Sequence, residues 1–312
     1  MTDELTIEIT SPVSCLCDFT YNFFWQHKGS QLDPDTPIEA QISSEYTYRD
    51  LIEQLRSGGD IHIKGNTGSR LASSMGVDLT YFGGSGQAVK TGNIILDGDA
   101  GTRMGISMVS GRIYVKGAIS QPMGNVVEIV SDRDGYRCFR SITDILHNGI
   151  IGDAFSHRNN SFIHGSVPCM VLADNVLRDT VGARCNRNVR ILVKGDMGLS
   201  TGILMQKGII DIKGDTGMNT ATLLSGGIIV VRGNVGEFAA TGIRAGKLII
   251  TGKNQGYLCP NMHGGAVFIK KDIKVIPPAR KCRVLDEDIK MLMDVLTTGR
   301  LDAMSYRKYS IC

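Results

Sequence analysis

Hydrophobic positions in this chain fall in short runs instead of long amphipathic stripes. Residues 113–116, 191–194, 228–232 and 248–251 form β-branched-rich stretches of four or five residues, each followed at once by glycine. Runs that short suit strands and cannot make helices. The segments ILVKGDMG, DIKGDTG, VVRGNVG and ITGKNQG place their first shared glycine at Gly195, Gly214, Gly233 and Gly252, nineteen residues apart each time. LDGDAG at Gly98 and VKGAIS at Gly117 keep the same interval, and IKGNTG at Gly65 opens the series with an irregular member near residues 83–86.

A fixed period of this kind means a solenoid in which each repeat is one coil. The predicted fold is therefore all-β, a parallel β-helix of about 19-residue coils. The chain is expected to change direction once per coil at Gly-Asp/Asn-x-Gly, so Gly65, Gly68, Gly98, Gly101, Gly195, Gly198, Gly214, Gly217, Gly233 and Gly236 are predicted turn glycines. Glycine is expected to supply positive φ there, and Asp or Asn to bond its own local backbone. Seven residues after the first glycine stands a small residue (Ala72, Gly105, Gly124, Gly202, Ala221, Ala240, Cys259), as a tight inner corner requires. Ten residues after it stands Met75, Met108, Val127, Met205, Leu224, Ile243 or Met262, which stacking would align into an internal ladder.

Two segments break the strand period. TYRDLIEQLR (residues 47–56) has Thr47 as N-cap with Asp50 three residues on, and after Pro277-Pro278 a second helix is predicted from an Asp286 cap through Ile289, Leu292, Met293 and Leu296 to Gly299. A solenoid leaves strand edges open at both ends, and these helices are expected to be caps or docking elements. The predicted organisation is an N-terminal segment with a capping helix (1–58), coils from 59 to 277 with an insertion at about 125–188, and a helical tail (278–312). Within the insertion CFRSITDILHNG (residues 138–149) reads as helix and residues 176–184 as a worn repeat; a projecting insertion is a candidate partner contact.

Composition fits this picture. Glycine makes up 38 of 312 residues while aromatics are only 6%, against about 7% glycine in ordinary domains. The net charge of +3 is small and dispersed, so nucleic acid is not an implied partner. No run reaches the roughly 18 apolar residues of a membrane span, and the N-terminus lacks the order of a secretion signal, so the chain is expected to be cytoplasmic without membrane insertion. The eight cysteines (Cys15, Cys17, Cys138, Cys169, Cys185, Cys259, Cys282, Cys312) include no C-x-x-C pair and are expected to be reduced and mostly buried.

Candidate chemistry is sparse. Gly198-Leu199-Ser200-Thr201-Gly202 fits the G-x-S-x-G nucleophile pattern, yet other coils read GTRMG, GMNTA and GEFAA at the same place, so the serine belongs to the repeat. AGKL at residues 245–248 lacks the Ser or Thr of a phosphate loop, and GGSG at 83–86 is not a dinucleotide fingerprint. His157 and His164 are seven apart, which is no standard metal spacing. Cys15-x-Cys17, followed by Phe19, Tyr21, Phe23, Phe24 and Trp25, reads as core packing or a contact surface. No catalytic, cofactor-binding or metal residue is predicted. The residue before each turn glycine is Lys64, Asp97, Lys116, Lys194, Lys213 or Arg232. Stacking places like charges side by side, so this ridge either pairs with the turn acids Asp196 and Asp215 or presents Lys64, Lys116, Lys194, Lys213 and Arg232 as a candidate face for an acidic partner.

The run GDMGLSTGILMQKGIIDIKGDTGMNTATLLSGGIIVVRGNVGEF resembles the G-x-G-x-G repeat domain shared by the C-type subunit of formylmethanofuran dehydrogenase and the C-terminal part of the glutamate synthase large chain, with coverage from about Gly59 to Pro277. The central VVEIVSDRDGYRCFRSITDILHNG and the tail PPARKCRVLDEDIKMLMDVL look more like the archaeal formylmethanofuran dehydrogenase proteins, whereas the first 45 residues do not align with their usual start. The resemblance implies a right-handed parallel β-helix that is a non-catalytic scaffold in an enzyme reducing CO2 to formylmethanofuran in methanogenesis. It implies no cofactor in this chain, with a molybdenum or tungsten pterin, an iron–sulfur cluster and a dinuclear metal centre in the partners: a molybdopterin/iron–sulfur catalytic subunit and an amidohydrolase-like subunit. A glutamate synthase subunit, or a diverged paralogue scaffolding another assembly, stays open beside it.

Overall fold

The computed structural model describes residues 4–20, 33–80 and 83–311. The chain divides into two compact units, Met1–Arg158 with Val176–Val181, and Asn159–Asn175 with Gly182–Cys312. In the first lie β1 (Leu5–Ile9), β2 (Gln41–Ile42), α1 (Tyr48–Arg56), β3 (Ile61–Lys64), β4 (Ile94–Asp97), β5 (Arg112–Val115), β6 (Val126–Ile129), β7 (Arg137–Ser141) and α2 (Ile142–Asn148). The second holds β8 (Ser161–Ile163), β9 (Cys169–Leu172), β10 (Arg190–Val193), β11 (Ile209–Ile212), β12 (Ser225–Val231), β13 (Ala245–Ile250), β14 (Ala266–Ile269), β15 (Arg280–Cys282), α3 (Asp286–Leu296), α4 (Arg300–Met304) and β16 (Arg307–Ser310).

Both units are built from stacked parallel coils, so the fold is a β-solenoid. β1, β3, β4 and β5 pair in parallel in the first unit, and β9 through β14 in the second. Between β4 and β5 and from β10 through β14 the register shift equals the sequence period, so that Ile94 faces Ile113, Arg190 faces Ile209, and Ile209 faces Ile228; between β3 and β4 Ile61 faces Ile94, and between β9 and β10 Cys169 faces Arg190. Alternation along each strand sends Ile191 and Val193, Ile210 and Ile212, and Leu248 and Ile250 inward. The ladder ten residues after each first glycine is wholly buried as predicted, from Met75 and Met108 to Ile243 and Met262.

Turn chemistry differs from the expectation in two ways. Of the ten predicted turn glycines only Gly65 has positive φ. At Gly68, Gly98, Gly101, Gly214, Gly217, Gly233 and Gly236 the neighbouring coil leaves no room for a side chain: a Cβ on Gly233 would lie 2.6 Å from the carbonyl oxygen of Gly214, and one on Gly217 2.9 Å from the carbonyl carbon of Gly198, whereas Gly195 has open space around it. The Asp and Asn side chains bond the next coil instead of their own backbone. Asn66 accepts from the amide of Asp99 and Asp99 from that of Ala118, each at 2.8 Å. In the second unit Asp196 accepts from Asp215, Asp215 from Asn234, and Asn234 from Lys253, at 2.8, 2.7 and 2.9 Å.

Positive φ appears a few residues later, mostly on residues that have a side chain. Asn219, Ala221 and Leu223 are all left-handed, and their amides bond Glu237 above, Thr201 below and Thr241 above. Left-handed backbone is uncommon for such residues, and here hydrogen bonds to the neighbouring coils fix it. Ala221, Ala240 and Cys259 share that conformation and full burial, which is why this corner takes small side chains.

The ends of the stacks are closed by antiparallel strands, not helices. β2 pairs with β1, β7 with β5 and β6 with β7; in the second unit β8 pairs with β9, and β16 with β14 and β15. The predicted helices form but cover sheet faces or coil interiors. α1 has the Thr47–Asp50 capping box and buries Leu51, Ile52 and Leu55 in the core of the first unit. α3 begins after Leu285, not at an Asp286 cap, with Asp288 accepting from the Leu285 amide at 3.0 Å. It packs Ile289, Leu292 and Leu296 against Val230, Ile249 and Phe268.

The N-terminal segment, set apart from the coils by its sequence, supplies the rung β1. In the insertion, the segment read as helix begins as strand β7, and parallel stacking is already present at β9. Replacing Asp215 by Ala strands the amide of Asn234 and is predicted to cost about 1 kcal/mol, whereas Asp215→Asn keeps an acceptor and is predicted to cost less. Gly233→Ala is predicted to cost about 1–3 kcal/mol by overpacking. Urea unfolding of the three variants checks the order.

Candidate functional site

In the second unit Lys194, Lys213 and Arg232 follow the ends of β10, β11 and β12, with the amides of Lys213 and Arg232 bonded to Val193 and Ile212 one coil below. In the first, Lys64 faces Asp97, and Lys116 bonds one coil below to Leu96. The stacked order is thus Lys194, Lys213, Arg232 in the second unit and Lys64, Asp97, Lys116 in the first, where an acid stands between the two lysines.

Its neutralising partner is not the one expected. Asp196 and Asp215 spend their carboxylates on the backbone ladder. The ridge turns instead to Asp211, in the middle of β11, whose side chain is 2% exposed. Arg232 grips it with both nitrogens, Nε to Oδ1 at 2.9 Å and Nη2 to Oδ2 at 3.0 Å. Arg190 reaches Oδ2 at 3.4 Å and Lys213 at 3.7 Å. Burial alone would raise the carboxyl's pKa, but the Arg232 hydrogen bonds and the charges of Arg232, Lys213 and Arg190 outweigh it and hold Asp211 below its usual range. Neither Asp211 nor Arg190 was singled out from sequence; the signal is an acid inside the otherwise aliphatic run IIDI.

The first-unit ridge is settled differently. Asp97 accepts from His62 Nε2 at 2.9 Å and from the Tyr136 hydroxyl, and the Lys116 amine lies 6.0 Å from the centre of the Tyr136 ring. Neither Lys64 nor Lys194 makes a salt bridge among the described residues.

The insertion carries a second ionic cluster. Asp153 accepts from Arg112 at 3.0 and 3.1 Å and from Arg140 at 2.8 Å, and Arg140 also bonds Asp144 at 2.5 Å. This network borders a cleft of about 480 Å³ lined by Arg112, Asp132 and Asp153 with Val130 and Ala154. It ties the segment around Asp153 to β5, β7 and α2.

The remaining candidates are dispersed. Ser200 is a left-handed turn residue whose amide bonds Met218, so the strand–elbow–helix setting of a nucleophile is missing. His157 and His164 are exposed, and His164 meets Phe162 edge to face at 4.8 Å. No group of three or more His, Cys, Asp or Glu side chains among the described residues could hold a metal ion. Cys15 and Cys17 are buried turn residues of the first coil; burial pushes the Cys15 thiol up to about 12 and raises Cys17 as well. Tyr21, Phe23, Phe24 and Trp25 lie outside the described residues. Cys282 departs from the expectation of reduced thiols, being disulfide-bonded. Among the described residues no helix is long and apolar enough to cross a membrane.

The fold is a parallel β-solenoid, and in its second unit Arg190, Lys213 and Arg232 gather around the buried carboxylate of Asp211. No protein-family model matches the chain. An uncharacterized protein of Methanothermobacter thermautotrophicus (strain Delta H) is 48% identical over 210 residues, 67% of this chain and 66% of that protein, so the match spans just under two thirds of the relative's length. The formyltransferase/hydrolase complex from Methylorubrum extorquens, solved with methylofuran, contains a chain that aligns over 97% of this one and 93% of its own length at 16% identity, with a TM-score of 0.28. That likeness is too weak to assign a fold or a function.

Asp211→Ala removes charge-assisted hydrogen bonds but leaves cations that water can reach, Arg190 and Lys213 being 45% and 46% exposed, so it is predicted to lower unfolding free energy by about 1.5–3 kcal/mol at neutral pH. A carboxyl with depressed pKa contributes stability that is present above its unfolded pKa, about 4, and lost as pH falls through the lower folded value. Asp211→Asn is therefore predicted to flatten the acid limb below about pH 4, and unfolding followed across pH checks it.

Proposed function

We propose that this chain is a non-catalytic scaffold subunit of a formylmethanofuran dehydrogenase-type complex of methanogenesis. The observation that carries the reading is the 19-residue Gly-Asp/Asn-x-Gly repeat, which resembles the G-x-G-x-G domain of that enzyme and which the register of the coils reproduces residue for residue. The sequence likeness to a protein of a methanogenic archaeon supports the same setting. In this reading the reactive groups lie in partner subunits: a molybdenum or tungsten pterin and iron–sulfur cluster in one, and an amidohydrolase-like dinuclear centre in another. This chain contributes stiff, hydrogen-bonded faces on which they are held, in the cytoplasm, with the ridge lysines and arginines as a contact face.

Native affinity purification from the source organism, with mass spectrometry and metal analysis, tests it. Co-recovery of pterin-binding and amidohydrolase-like subunits with molybdenum or tungsten is the expected result; recovery with a flavin-containing synthase, or with no metalloenzyme subunit, would overturn it.

A further inference from the structure

Within the second unit the helical cover of the sheet stops part-way. α3 rests on Val230, Ile249 and Phe268, the outward residues of β12, β13 and β14. The same register column continues through Asp211 on β11, Leu192 on β10 and Val171 on β9. Leu192, Val171 and the neighbouring Ile209 are part-exposed. Around these three apolar residues stand Arg190 on one side and Lys194, Lys213 and Arg232 on the other, four cations against the single carboxylate of Asp211. Arg190 and Lys213 remain 45% and 46% exposed, and Lys194 is exposed and makes no salt bridge among the described residues.

We propose that the outer face of β9 to β11 seats an acidic, amphipathic segment of another polypeptide, laid beside α3 so that it continues the helical layer. Two features select this occupant. An apolar strip framed by four cations that share one carboxylate carries a net positive charge and calls for apolar side chains flanked by carboxylates. The adjoining half of the sheet is already covered by a helix that begins Asp286-Glu287-Asp288 and whose Asp288 pairs with Lys308 at 2.8 Å, so the sheet's own covering element uses acid-to-lysine pairing at its edge. The inference rests on the reading of this chain as a subunit of an assembly, but not on which enzyme that assembly is.

The test places a photo-crosslinking phenylalanine analogue at Leu192 of the full chain in its native host and sequences the segment it captures. The expected capture is a segment of a different polypeptide in which Asp and Glu outnumber Lys and Arg and apolar residues recur at helical spacing. Lys194→Glu with Lys213→Glu is expected to lower the yield about tenfold, equivalent to about 1.4 kcal/mol for the two reversed charges together. Lys194→Glu alone is expected to lower it measurably, and since Lys194 makes no salt bridge that variant separates docking from folding. Lys253→Glu, exposed and off this face, is expected to leave the yield unchanged. A basic segment, a second copy of this chain, no capture, or a yield insensitive to both reversals would overturn the proposal. Capture of an acidic segment from a polypeptide unrelated to pterin or amidohydrolase-like subunits would uphold it while refuting the named enzyme.

Discussion

Everything in this molecule depends on bringing turn backbones as close together as strands. A parallel sheet sets neighbouring strands about 4.8 Å apart, and a solenoid must hold that spacing around the whole coil, corners included. At the Gly-Asp/Asn-x-Gly turn it does so by removing side chains where one coil meets the next and by supplying a carboxylate or amide oxygen for the amide above. Gly214 and Gly233 answer the first need, and Asp196, Asp215 and Asn234 the second. The corner that follows reaches the same spacing with left-handed residues whose amides point alternately up and down.

That constraint commits much of the polar chemistry. Turn acids that look like counter-ions for the lysine ridge are occupied by backbone, so the ridge needs another acid, and Asp211 provides it from within a strand. A carboxylate 2% exposed survives there because Arg232 meets it bidentately and two further cations lie within 4 Å. The turns and much of the ridge are thus engaged in holding coils together, while the outer face of β9 to β11 keeps Val171, Leu192 and Ile209 part-exposed.

The fold was legible in the sequence wherever the period was intact. From residue 190 to 252 each strand repeats with little change, and its register could be read from glycine spacing alone. α1 was legible from Thr47, Asp50 and its apolar face. What escaped were features without period. β1 pairs with β3 across a separation of 56 residues, Leu5 facing Ile61, so no local spacing announces it. The antiparallel closing strands carry only ordinary strand composition, and β15 reads simply as RKC. The reason for glycine was also hidden, because positive φ and absence of Cβ select the same residue. Asp211 escaped because its partners, Arg190 and Arg232, are brought beside it only by stacking.

Amide hydrogen exchange on the intact chain tests most directly the claim that the turns are structural. The amides of Asp215, Asn234 and Lys253 should be protected to the same degree as those of Ile210, Ile229 and Leu248 in the strands they serve. Exchange of the three turn amides at the rate of an open loop, with the strands still protected, would contradict the account.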